Sequence, residues 1–292
     1  MKNYTFNPIA LLCGLCLSMS VIDLHAHDLL SKPSSMYGVS LLAGLESYPD
    51  SEHSSMSRGI GISLIRNDLK YDQAMSLEND YLQMRFTYYY ELDSEKYDID
   101  RFRNSGDLKL HYTKPVAEFG NEDQYLVSIH GRYEGHYNSQ QLEEFEQLAL
   151  AGVRVDRRFS DINHYDLSFT AGVAYSEEEK DDDWPRNELG LGTDVLHREG
   201  FGYLVEVDNR YTFTQSGVQL ALKISRFDGR WHYDNQKFYT ADKLEFHVVT
   251  PLSNQLNLLH FTSQYIHRDY ELELLGFKDT LFRVRVEYLH YF

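Results

Sequence analysis

Every second residue is apolar in a series of short runs that recur along the chain at intervals of roughly 12–25 residues. A strand turns successive side chains to opposite faces, so each run predicts a strand with one apolar and one wet side. The clearest runs cover residues 37–45, 82–92, 108–113, 125–134, 165–175, 203–213 and 218–225. Within 82–92, for example, Leu82, Met84, Phe86, Tyr88, Tyr90 and Leu92 alternate with Gln83, Arg85, Thr87 and Glu91. Residues 149–156, 189–195, 244–248 and 256–267 repeat the pattern less cleanly, and Ile60, Ile62 and Leu64 carry its weakest form. The last run sets Phe282, Val284, Val286 and Tyr288 against Arg283, Arg285 and Glu287, and ends on Phe292.

The apolar faces often begin or end on Tyr or Phe, with Val, Leu or Ala between, while the opposite faces carry charge near strand centres. Aromatic ends flanking an apolar middle are what a strand needs where it crosses both interfaces of a bilayer. The pattern therefore predicts an all-β fold, a transmembrane antiparallel up-and-down barrel. Thirteen runs are present, and single-chain bacterial barrels have an even strand number. Omitting the run at Ile60, Ile62 and Leu64 gives twelve strands; fourteen is the alternative. Residues 250–255 (TPLSNQ) and 196–200 (LHREG) both read as short turns, although three runs between them put them on opposite sides. The polar stretches 93–106, 135–145, 176–187, 228–237 and 268–280 read as outward loops.

Composition fits this picture. The chain has 292 residues, 42% of them apolar, with 23 Tyr and 16 Phe but only 6 Pro. Past the N-terminus it contains no run of about 18 apolar residues, so no membrane-spanning helix is expected. Lys2, the apolar run 9–19 and the small residue Ala26 predict a secretory signal peptide over residues 1–26, with 27–292 forming one barrel domain. Both cysteines, Cys13 and Cys16, fall inside that signal, so the exported chain would carry no thiol. Its removal takes one Lys and one Asp and leaves the net charge at −17. An exported chain so acidic, with no basic stripe, excludes nucleic acid as a partner.

A terminal strand that is apolar outside, charged inside and closed by an aromatic residue resembles the last strand of Gram-negative outer-membrane β-barrels. That resemblance implies an outer-membrane location. It also implies outer-membrane lipid and lipopolysaccharide as surroundings, and recognition of Val284, Val286, Tyr288 and Phe292 by the barrel assembly machinery. His290 departs from the pattern. The hairpin at 250–254 and the stretch 277–280 leading to Tyr288 and Phe292 are similar to a YdiY-like family of outer-membrane barrels, whose function is unassigned. A solitary autotransporter-type barrel is a further relative in kind.

Chemistry is sparse. The acidic cluster 177–183 lacks the alternating ligands and central Gly of a calcium loop. No zinc spacing, phosphate-binding glycine loop or nucleophile elbow occurs, and no cofactor is implied. His130 and His136 lie near Ser128 and Ser139 but without a tight His–Ser signature, so no catalytic residue is assigned. The charged residues expected to line the lumen are Arg85, Arg132, Glu206, Asp208, Arg210, Arg283, Arg285 and Glu287, with Lys109, Glu134, Lys223, Lys243 and Glu245 on the same faces. Strand glycines such as Gly38, Gly44, Gly152 and Gly172 suggest tight curvature or a crowded interior. The functional expectation is a narrow channel or a structural or stress-related surface protein, without catalysis. A barrel-borne lipid hydrolase and a soluble exported β-sandwich that binds a ligand are the alternatives.

Overall fold

A computed structural model describes residues 35–47, 56–68, 75–94, 101–120, 124–139, 144–160, 164–180, 196–231, 239–252, 256–270 and 277–292. The expected signal segment lies outside them. The described residues form twelve strands. These are β1 (Met36–Ser47), β2 (Met56–Asn67), β3 (Tyr81–Ser94) and β4 (Arg101–Phe119), then β5 (Gln124–Ser139), β6 (Glu144–Ser160), β7 (His164–Lys180) and β8 (Leu196–Thr212). β9 (Gln219–Trp231), β10 (Tyr239–Pro251), β11 (Asn257–Tyr270) and β12 (Phe277–Tyr291) complete the set. Each pairs antiparallel with its neighbours in sequence, and β1 pairs with β12, so the sheet closes into an up-and-down barrel with no free edge.

The strand number is the expected one, but its membership differs. Ile60, Ile62 and Leu64 belong to β2, which pairs in full with β1 and β3. Its signal was weak because the facing set is Gly59, Gly61 and Ser63, residues too small to mark a polar face. Gly61 is small for a reason: a Cβ there would stand 2.6 Å from the Tyr88 carbonyl oxygen and 3.0 Å from the Tyr89 ring. The run at 189–195 lies outside the described residues, as do Glu188 and Asp194. Residues 196–200 are not a turn but the start of β8, paired from Leu196 with Lys180 to Gly200 with Ser176. That removes the conflict with the turn expected at 250–255, where Pro251 pairs with Leu258 and Leu252 N–H donates to the Asn257 carbonyl, while residues 253–255 lie outside the described ones. The described parts of the five expected outer loops are strand ends at the end of the barrel away from Met36 and Tyr291, hereafter the far end, and their remaining residues lie outside the described ones. Strands run into them: β3 to Ser94, β7 to Lys180 and β4 from Arg101.

The side chains sort as an inside-out protein. Ile60 is 65% exposed and Leu41 64%, facing outward, whereas inward Ser63 is 0% and Thr87 1% exposed. A soluble sandwich would place those aliphatics in a dry middle between two sheets; here they form an outer belt too large for a water-facing surface. The alternative of a soluble sandwich is overturned by the closed single sheet. At the terminal end the belt finishes in aromatics. Phe119 stacks on Tyr125 at 5.2 Å, Phe159 meets Tyr165 at 5.0 Å, and Tyr211 meets Phe213 at 4.8 Å. The Arg157 guanidinium lies 4.0 Å over Phe159. Toward the far end Tyr175 contacts Phe201 at 5.2 Å. Along β7, Tyr165 and Tyr175 are ten residues apart, about 33 Å at about 3.3 Å per residue and about 25 Å once a strand tilt of about 40° is allowed, the height of a hydrocarbon band.

Candidate functional site in the barrel lumen

Twelve strands enclose a lumen wider than the filled interior of an eight-stranded barrel and narrower than a sixteen-stranded aqueous pore. Its inward side chains are layered. At the terminal end Ile65, Leu258, Leu289 and Tyr291 pack into a buried apolar cluster, joined by Met36 and Val249. Tyr291 reaches over Gly38, where a Cβ would come within 2.8 Å of the ring.

Charge fills the middle. On one wall Glu287 accepts hydrogen bonds from Ser40 Oγ and Arg85 Nη2, with His260 Nδ1 3.5 Å from its other oxygen. His260 stacks on His247 at 5.3 Å, and His247 Nε2 lies 3.1 Å from Glu245, which also pairs with Lys243. On the other wall Arg132 Nη1 donates to Glu206 at 2.6 Å, and Lys223 reaches the same carboxylate at 3.0 Å. Arg132 Nε lies 3.0 Å from Glu134, and His111 Nε2 3.5 Å from it. Arg154 grips Asp156 at 2.7 Å and Ser168 at 2.9 Å.

The geometry that matters is which strands these pairs join. Among the described residues, four pairs link strands that are not neighbours. Arg132–Glu206 joins β5 to β8, Arg85–Glu287 joins β3 to β12, Arg285–Asp107 joins β12 to β4, and Arg268–Glu146 joins β11 to β6. Round the closed sheet these strands are three, three, four and five places apart, the last nearly opposite in a ring of twelve. The pairs therefore cross the interior rather than lying along its wall.

The eight charges expected in the lumen separate by position. Arg85, Arg132, Glu206 and Glu287 sit inside the crossing pairs. Arg285 pairs with Asp107 at 3.6 Å and lies 4.6 Å over the Tyr89 ring. Arg283 donates to Gln264 at 3.5 Å. Asp208 and Arg210 pair with each other at 3.2 Å near the terminal mouth, where Arg210 is half exposed. Of the assembly-strand residues, Val286 and Tyr288 face outward, Tyr288 donating to Asn257 at 2.8 Å, and Val284 is half-buried. Phe292 is 69% exposed, while its backbone N–H donates to the Tyr37 carbonyl at 2.9 Å. His290 Nδ1 lies 2.7 Å from the same Asn257 oxygen.

Sequence reasoning missed Asp107, Glu146 and Arg268, and read His136 as part of a loop. Asp107 and His136 stand opposite each other in the β4–β5 ladder, 2.5 Å apart through Oδ1 and Nδ1. Extending the alternation back from Lys109 and on from Glu134 would have reached both. His130 bonds Thr113 at 2.9 Å instead of Ser128, and Ser139 has no described side chain. The hydrolase alternative thus finds no His–Ser contact among the described residues. Within the acidic cluster, Glu177 accepts from Gln147 and from Tyr175 Oη; the rest has no described side chain.

No family model matches the chain, and no curated protein matches it either. Among solved structures it is similar to the translocator domain of the autotransporter NalP from Neisseria meningitidis. The identity is 10%, 97% of this chain and 96% of that one are covered, and the TM-score is 0.45. It is similar to the COG4313 outer membrane channel from Pseudomonas putida F1, at 11% identity over 93% and 100% of the two chains and a TM-score of 0.48. A third is the transport unit of the autotransporter AIDA-I from Escherichia coli, at 9% identity over 97% of each chain and a TM-score of 0.48. The closed antiparallel sheet, the outward apolar belt and its aromatic ends belong to one cellular setting. The protein is an outer-membrane β-barrel. Its lumen is the part of it that carries chemistry beyond the architecture.

Proposed function

We propose that this barrel is a narrow channel of the outer membrane, without catalysis, whose cross-section is set by ion pairs spanning its interior. One observation carries the reading: Arg132–Glu206, Arg85–Glu287, Arg285–Asp107 and Arg268–Glu146 each tie together strands that do not touch in the sheet. Fixed charges of both signs leave room for water and small ions around them, and deny passage to bulky solutes. In a medium of low polarity such charges act strongly on any ion between them. The far end, where the connecting segments gather, is the cell-surface side in this reading. Outward Val286 and Tyr288 and exposed Phe292 offer the assembly machinery an apolar strand to read. Lipopolysaccharide surrounds the belt. The likeness to YdiY-like barrels expected from the sequence finds no matching family model and adds no function to this.

A second reading is a sealed barrel with a structural role at the surface. It is favoured by the buried cluster of Ile65, Leu258, Leu289 and Tyr291, which packs apolar side chains into the lumen at the terminal end. Liposome swelling separates the two. Purified barrel in liposomes should admit the smallest uncharged solutes slowly and exclude disaccharides. Rapid swelling in disaccharide would contradict the narrow channel, and no swelling in any solute would favour the sealed barrel.

A further inference from the structure

In the far half of the lumen lies a cavity of about 160 Å³ whose two sides differ in kind. On the β6–β10 side its lining is apolar: Leu148, Leu204, Phe227 and Ala241, continuous with buried Leu150 and Ala174. Leu150, Ala174, Leu204 and Phe227 are largely buried against one another, so this side is a dry apolar wall inside an otherwise polar lumen. From β4, β5, β11 and β12 the lining is mostly charged, Lys109, Arg132, Arg268 and Arg283 with the carboxylates Asp107 and Glu134 beside Ile266, while Lys243 of β10 and Glu146 of β6 bring charge to the edges of the apolar side.

These carboxylates are already shared. Glu134 has Arg132 at 3.0 Å and His111 at 3.5 Å, and Lys109 stands opposite it in the β4–β5 ladder. Asp107 has His136 at 2.5 Å and Arg285 at 3.6 Å, and Glu146 takes Arg268. Five Lys and Arg side chains line this cavity against three carboxylates in a protein whose net charge is −17, although Arg132 also holds Glu206 and Lys243 also holds Glu245. Gln147, Gln264, Ser176 and Ser225 add neutral hydrogen-bonding groups at the boundary between the two sides.

We propose that this cavity is a binding site for a small organic monoanion that carries one apolar ring beside its carboxylate. An apolar cavity of about 150 Å³ holds a benzene ring, so the volume suits a single six-membered ring. The ring lies against Leu204 and Phe227, and the carboxylate faces Lys109 and its cationic neighbours. Apolar walls with a few convergent polar groups are the usual make-up of a small-molecule site. The inference does not require the barrel to conduct, because binding is read without transport.

Isothermal titration of the folded, detergent-solubilised barrel with four probes tests it: benzoate, the neutral benzamide, benzylammonium and acetate. The expected order has benzoate binding at least tenfold more tightly than benzamide or acetate, with benzylammonium not bound. Lys109→Met should weaken benzoate tenfold or more, while Arg210→Gln, at the terminal mouth, should leave it unchanged. Equal binding of benzamide, preference for benzylammonium, equal binding of acetate, or no binding of benzoate would each overturn the proposal. So would an unaltered benzoate affinity in Lys109→Met. If that variant does not fold, the order of the four probes on the unaltered barrel decides.

Discussion

At the terminal end of the lumen, Ile65, Leu258, Leu289 and the Tyr291 ring hold together by apolar contact, whereas the middle layer depends on Arg132, Glu134, Glu206 and Lys223 meeting at set distances. An apolar cluster tolerates small rearrangement, and in this one only the Tyr291 hydroxyl needs a partner, which Asn67 supplies. A buried ion pair gives up hydration on both members and regains it only if geometry is good, so well-packed apolar residues in its place are often as stable or more so. The charged layer is therefore hard to justify as a stabilising device. Its conspicuous property is direction: it reaches across open space where aliphatic side chains of one wall would not.

The contrast can be broken at either layer. The largest effect is expected from Arg132→Ala, which takes their shared guanidinium from Glu134 and Glu206 and leaves Glu206 only Lys223, in a site where Arg132 itself is nearly inaccessible. Leaving a buried charge without its partner should cost about 3–5 kcal/mol, measured by urea unfolding in lipid vesicles. Leu289→Ala, in the apolar layer, should cost about 2–5 kcal/mol in the same assay, with no dependence on salt. Raising ionic strength should leave both penalties nearly unchanged, because a pair as buried as Arg132–Glu206 is screened little. On the outer face, Ile62→Arg puts charge into the lipid belt near the middle of β2 and should cost about 2–4 kcal/mol. A smaller penalty there would mean that Ile62 does not lie at bilayer depth. Phe292→Ala should change the stability of the folded barrel by less than about 0.5 kcal/mol. If its role is recognition, that variant should still slow insertion by the assembly machinery, and an unchanged insertion rate would remove the role.

The sequence was most informative where one face meets hydrocarbon and the other meets water. Between Tyr165 and Tyr175 the alternation marked both the strand and its orientation. It failed at β2 because the inward residues there are Gly61, beneath Leu42 and Tyr89, and Ser63, bonded to Thr87, so size, not polarity, governed that face. Beyond the apolar belt, both faces of a strand are wet and nothing enforces a period of two. For that reason residues 196–200 read as a turn and the outer parts of β4, β5 and β7 as loops. The same effect hid Asp107, Glu146 and Arg268, since each sits where a strand leaves the belt. Cross-lumen pairing was beyond reach for a different reason. Strand order round the barrel can be argued from connectivity, but the shear that brings Arg268 of β11 to Glu146 of β6 has no local signature.

The claim that ion pairs narrow the lumen is tested most directly by single-channel recording in planar bilayers. The unaltered barrel is compared with the double variant Arg132→Ala, Glu206→Ala, which removes one crossing pair entirely. The account predicts a small, steady conductance, below that of a general porin in the same bilayer, that rises several-fold in the double variant. Equal conductance in the two proteins, or a porin-sized conductance in the unaltered one, would contradict it.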